Sequence, residues 1–233
     1  MSAMPRFSAA ELQAALRTFA PLKAGLARDV FQQPYPLGRV IEAFASLRAP
    51  LARARLQGGI INPWVIAGLR RDEVRVAQAL AGLWTLELGG AASRRFLAGC
   101  LAACIVDIDW EAELATGYRV ASEISPLGVH TERIDLTIET ARHIVGIEMK
   151  IDAALGPRQL ERYVEAISAR ARWQHATGHI VLLAPFSSEL DQVLHLSWPT
   201  VAEAAFSSAG RQSSKQSFAE QLIVSFGDYL GTL

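Results

Sequence analysis

Apolar residues along this chain recur first with the spacing of helices, then with that of strands, then with both in turn. Residues 8–31 (SAAELQAALRTFAPLKAGLARDVF) and 36–56 (PLGRVIEAFASLRAPLARARL) read as helices, the first opened by a capping box of Ser8 and Glu11. Gly58 and Gly59 break the pattern, and residues 61–69 (INPWVIAGL) read as a short apolar connector. A second helical block starts at Arg71–Glu73 and runs to about Leu86, where the glycine pair at 89–90 ends it; a third helix runs from Ser93 to about Val106. Asp107 and Asp109 alternate with Ile108 and Trp110 in what reads as a structural loop.

The period then changes to two. Residues 118–124 (YRVASEI), 133–139 (RIDLTIE) and 143–150 (HIVGIEMK) are three expected strands. Gly156-Pro157 opens a helix to about Thr177 with the apolar stripe Leu160, Val164, Ile167 and Ala171. Residues 179–185 (HIVLLAP) form a wholly apolar run of strand length, as expected of a strand covered on both faces. VLHLSW at 193–198 reads as a last edge strand, and two helices, WPTVAEAAF and FAEQLIVSFGDYL, close the chain around a polar stretch at 207–217. The order helix, strand, strand, strand, helix, strand predicts an α/β fold, with a mixed central sheet flanked by helices. One domain over residues 61–233 follows a helical N-terminal extension over 1–60, which is expected to cover one side of the sheet; a homodimer face is the other reading of it.

Within that sheet, three charged residues stand out. The loop between the second and third strands is only Thr140, Ala141 and Arg142, so the strands are antiparallel neighbours. Glu148 and Lys150 leave one face of the third strand, while Val145, Ile147 and Met149 leave the other; Asp135 faces them from the second strand. Charges are placed among Ile, Val and Leu when they are paired, metal-bound or functional. Magnesium takes hard oxygen ligands and keeps several waters. Asp135 and Glu148 can supply two carboxylates and the Met149 carbonyl a third oxygen, with Lys150 placed to orient or deprotonate a water or to neutralise a phosphate.

Further residues extend the set. Glu73 shares a helix stripe with Val76, Ala77, Leu80 and Trp84, an unusual place for an acid unless it reaches the same metal; an exposed first-turn acid is the plainer reading. Gln159 and Tyr163 lie one turn apart on the next helix, flanked by Arg158 and Arg162, which can hold phosphates. Asp152 reads as a cap for the loop before Gly156, and His175 and His179 as flanking a helix end.

Composition narrows the function. Lys+Arg and Asp+Glu are equal at 23 each, so any contact with nucleic acid must be local rather than spread over a basic surface. Cys100 and Cys104, four apart among apolar neighbours, read as buried free thiols. The start of the chain reads as polar and helix-forming, and no apolar run reaches the ~18 residues of a membrane span, so the cytoplasm is the expected compartment.

RIDLTIE, GIEMKIDA and RQLERY, in that element order, resemble the PD-(D/E)XK nuclease superfamily, and Gln159-x-x-x-Tyr163 is similar to the element of its RecB-type members. NPWVIAGLRRDEVRVAQALAGLW, HIVLLAP and LHLSWPTVAEA resemble a bacterial and phage-borne branch, the resemblance covering roughly residues 61–205. It implies a restriction-endonuclease-like fold in which Asp135, Glu148 and Lys150 are catalytic, Glu73 is the helix acid, and Gln159 and Tyr163 are auxiliary. Ile134 stands where the eponymous proline would be, and Val76 and GGAAS stand where relatives often carry histidines. The function so implied is a magnesium-dependent nuclease, with manganese as substitute, acting on DNA in phage defence, mobile-element biology or repair. An RNA endonuclease using the same site, or a nuclease fold kept as a binding or assembly module with weak or no catalysis, stays open.

Overall fold

The computed structural model describes residues 37–56, 61–124, 133–209 and 215–233. The helix expected over residues 8–31 lies outside them. The chain divides into two compact units, residues 1–61 with 212–214, and the remainder. Of the first, the described part is the helix α1 (Leu37–Leu56), which carries Pro50 inside it, together with Ile61.

The second unit opens with a turn of helix where an apolar connector was expected. The Asn62 side chain accepts hydrogen bonds from the backbone N–H groups of Trp64 and Val65, and Pro63 fits the first turn, so α2 (Pro63–Ile66) forms. Asp72 caps α3 (Glu73–Trp84), which ends at an extended Thr85 rather than at the glycine pair. The glycines instead lie inside α4 (Leu86–Ala102), where Gly90 kinks the helix at φ 58°, ψ −135°. The loop expected around Asp109 is also helical: its side chain accepts from Ala112 N–H and starts α5 (Trp110–Ala115), with Glu111 and Glu113 in the first turn.

Three antiparallel strands follow, β1 (Tyr118–Ile124), β2 (Ile134–Thr140) and β3 (His143–Met149). Thr140 pairs with Tyr118, which leaves two residues, Ala141 and Arg142, in the hairpin turn instead of three. Helix α6 (Gln159–Trp173) then crosses to β4 (Thr177–Leu183), parallel to β3. The helix is shorter than expected and the strand begins earlier, because His175 turns the chain at φ 55°. His179, the first residue of the expected strand, is the third of β4 and lies opposite Val145. Edge strand β5 (Val193–Leu196) lies parallel to β4, and α7 (Trp198–Ser208) and α8 (Phe218–Leu230) close the unit. The result is a five-stranded mixed sheet in the order β1-β2-β3-β4-β5, flanked by helices.

Alternation along the strands builds two cores. Leu136, Ile138, Val145, Ile147, Met149, Val181 and Leu183 face a larger cluster with α3, α4, α7 and α8. Ile144, Ile180 and Leu182 face α6 through Leu160, Tyr163, Ile167 and Ala171. On that second face the approach is close: a Cβ on Gly146 would stand 2.9 Å from Ile167 Cγ1, and one on Gly178 3.0 Å from its Cγ2. These two glycines let α6 lie low over β3 and β4, and that seating decides what its first residue can touch. Cys100 is buried and Cys104 partly so, both free, and burial pushes both thiols up, Cys104 to about 12. Among the described residues no helix is long and apolar enough to cross a membrane.

Candidate active site

Glu148 and Lys150 stand at the carboxyl end of β3, and the antiparallel register continues Leu136–Ile147 outward to set Asp135 opposite Glu148. The acid and the lysine meet there. Lys150 Nζ is 2.5 Å from Glu148 Oε1 and 3.6 Å from Glu73 Oε2. Asp135 Oδ2 accepts the backbone N–H of Met149 at 2.8 Å, and its charge acts on the Glu148 carboxyl. Glu73, first residue of α3, also accepts the N–H of Ile151 on Oε1 at 2.7 Å. The structure thus brings together Asp135, Glu148, Lys150 and Glu73.

The low seat of α6 adds Gln159. Its Nε2 donates to Glu148 Oε1 at 2.7 Å and to Tyr163 Oη at 3.0 Å, while its Oε1 accepts Gly156 N–H. Tyr163 in turn donates to the Arg133 carbonyl at 2.6 Å, two residues before Asp135. Gln159 and Tyr163 therefore tie the base of β2 to the carboxylate on β3. Arg158 enters the helix in the left-handed region at φ 52° and is exposed. Arg162 is also exposed and donates to the Pro157 carbonyl at 2.7 Å. Asp152 does not cap the loop; it pairs with Arg71 at 2.5 Å.

Burial makes the charges interact strongly. Glu148 is only 1% exposed, and desolvation followed by the charge of Asp135 pushes its carboxyl up to about 7, against the pull of Lys150 and Gln159. Asp135 is raised by burial as well, opposed by the Met149 N–H and Lys150. For Lys150 burial disfavours the charge, but the hydrogen bond to Glu148 and the carboxylates of Glu73 and Asp135 outweigh it and raise the ammonium. One atom is left over. Glu148 Oε2 is buried and has no hydrogen-bond partner.

A model of the PD-(D/E)XK nuclease superfamily matches residues 87–228. The chain belongs to that superfamily. No curated protein and no solved structure gave a significant match. Membership implies a nuclease, a hydrolase that engages nucleic acid, and nucleases of this superfamily generally use divalent metal ions. The matched span contains Asp135, Glu148, Lys150, Gln159 and Tyr163, whereas Glu73 precedes it.

Do the residues of this superfamily member fit such an ion? Among the described residues no group of three or more His, Cys, Asp or Glu side chains forms a ready metal cage. Glu148 Oε2, however, is an unsatisfied carboxylate oxygen, which costs roughly 1–3 kcal/mol unless something meets it. With Asp135 facing it, the donor set is two hard carboxylates, which suits magnesium because that ion keeps most of its waters.

Sequence reasoning missed two groups that touch the lysine's backbone. Lys150 N–H donates to the Leu183 carbonyl at 2.9 Å, and Trp198 Nε1 donates to the Lys150 carbonyl at 3.0 Å. A tryptophan directly before Pro199 at a helix start was the available signal for the second.

Proposed function

We propose that this chain is a magnesium-dependent nuclease that hydrolyses DNA phosphodiester bonds. The observation that carries this reading is Glu148: buried, bonded through one oxygen to a lysine and a glutamine, and unpaired at the other oxygen beside a second carboxylate. Asp135, Glu148 and the Met149 carbonyl would hold the ion, with Glu73 in reach directly or through water, and manganese would substitute. A divalent cation bound there supplies Lewis-acid polarisation of the phosphate and a more acidic water.

The protein groups do the rest. Lys150, held as an ammonium, donates to a non-bridging phosphate oxygen and offsets the charge that develops there, which favours this role over that of general base. Gln159 orients Glu148, and Tyr163 anchors Gln159 to the strand that carries Asp135. Arg158 and Arg162, exposed at the start of α6, contact flanking phosphates. A cytoplasmic role in phage defence, mobile-element biology or repair belongs to the same proposal.

A binding module without catalysis is the second reading, and one observation favours it. Glu148 Oε1 and Glu73 Oε1 are already engaged by protein donors. Cleavage of linear and circular DNA with magnesium or manganese, wild type beside Lys150→Ala, decides between them. Cutting by the wild type alone supports the nuclease, and the circular substrate separates internal from end-directed cutting. No cutting, with no metal binding by calorimetry, selects the module.

A further inference from the structure

Lys150 lies just beyond the paired part of the sheet. The β3–β4 pairing ends at Met149–Leu183, so the Lys150 carbonyl projects past the last strand partner and must find a donor elsewhere. It finds Trp198, the first residue of α7, which is 6% exposed and donates its indole N–H at 3.0 Å. The sheet order places β5 two strands from β3, about 10 Å at the ~4.8 Å spacing of strands. A side chain leaving the β5–α7 junction must be long, apolar along its length and end in a donor to span that gap, and tryptophan meets all three needs. The Leu183 carbonyl and the Glu73 carboxylate hold the same stretch of backbone from other sides.

We propose that Trp198 is a positioning residue for Lys150. Its indole N–H fixes the peptide from which the lysine side chain rises, so that Nζ meets Glu148 and, in the complex, the phosphate. Trp198 touches neither substrate nor ion. The proposal rests on the reading of Lys150 as a catalytic residue.

Trp198→Phe keeps a ring in the core and removes the donor. A small displacement of a reacting group is costly, so kcat should fall on the order of tenfold while KM for duplex DNA changes by less than about twofold. The chain has three lysines, Lys23, Lys150 and Lys215, and Lys215 is exposed, which makes it an internal reference for acetylation read peptide by peptide. The Lys150/Lys215 labelling ratio should rise several-fold in the variant as the amine loses its fixed place beside Glu148. Val201→Ala, a buried truncation on the same helix, should leave both readouts at wild type. Wild-type kcat and labelling in folded Trp198→Phe overturn the proposal, as does lost kcat with unchanged labelling, or an equal loss of kcat in Val201→Ala. If the wild type cuts no nucleic acid the nuclease reading fails, yet the labelling ratio still tests the positioning. Should Trp198→Phe not fold, indole hydrogen exchange in the wild type decides. Protection at Trp198 relative to Trp173, which is 80% exposed, is expected, and equal exchange overturns the proposal.

Discussion

Two glutamates are buried at opposite ends of one sheet, and they are treated oppositely. Glu113, on α5, is fully buried beside the turn that starts β3; Glu148 is as deeply buried where β3 ends, about 20 Å along a seven-residue strand. Every oxygen of Glu113 is satisfied: Thr140 Oγ1 donates to Oε1 at 2.6 Å, and Arg142 Nε donates to Oε2 at 2.7 Å with a second guanidinium nitrogen alongside. Burial opposes the charge on Glu113, but Arg142 and Thr140 outweigh it and hold the carboxyl below its ordinary value. Glu148 is left with an open oxygen and a carboxyl raised to about 7. A completed carboxylate closes a turn; an incomplete one is prepared to receive something. On the proposed function, what separates the two carboxylates is their partners, not their burial.

The largest effects should come from the incomplete end. Lys150→Ala and Asp135→Ala are each expected to lower DNA cleavage by about a thousandfold or more, with circular dichroism unchanged, since electrostatic groups of this kind contribute several kcal/mol to a transition state. The fold survives the loss of the lysine because Glu148 can take up a proton in place of its ion pair. Retained cutting in either purified variant would sink the assignment.

Glu113→Gln should reverse the pattern. It removes a charge-assisted pair with Arg142, at a cost of about 2 kcal/mol, which for a chain of this size lowers Tm by roughly 4–8 °C. Cleavage per folded molecule should stay at wild type. A loss of kcat larger than the loss of folded protein would show that the two ends are coupled and the comparison too simple.

How much of this was legible beforehand depends on distance in sequence. The convergence of Asp135, Glu148 and Lys150 follows from alternation and a turn too short to be anything but a hairpin, so it could be read off eighteen residues, 133–150. Gln159 could be placed on a helix, but not over Glu148, because that depends on Gly146 and Gly178 admitting Ile167. Trp198 acts across 48 residues through a strand order that the pattern does not state. Glu113 was missed for a local reason: the alternation of Asp107, Ile108, Asp109 and Trp110 looked like a loop, whereas Asp109 ahead of two first-turn acids is a helix start. His143 and His179 meet at 3.1 Å against Trp110 through a β3–β4 register, with Val145 opposite His179, that the pattern does not state.

The same isosteric change at Glu148 should have the opposite sign in stability. Glu148→Gln is expected to abolish cutting, yet to leave the metal-free protein at least as stable as wild type at about pH 8, because it removes a buried charge that lacks full compensation. A fall in Tm as large as that of Glu113→Gln would mean that Glu148 is structural and that its open oxygen has no special meaning.

The smallest effect is the most discriminating, because it depends on proton linkage. The folded carboxyl of Glu148 is raised from the ordinary 4.5 to about 7, so its contribution is fully present below the unfolded value and is lost as pH rises through neutrality. At the other end the signs are reversed. Glu113 is lowered, and His179 is held below its ordinary 6.5 by burial and by His143, so both lose stability as pH falls. Metal-free protein should therefore show a Tm maximum on the acid side of neutrality. Magnesium at about ten times its dissociation constant adds roughly 1.4 kcal/mol, a Tm rise of about 3–6 °C. That rise should appear at about pH 8, where Glu148 is ionised, shrink at about pH 5.5, where a proton occupies it, and vanish in Glu148→Gln. Calorimetric scans across that range check it, and a magnesium response that ignores both pH and the Glu148 substitution would move the ion away from this site.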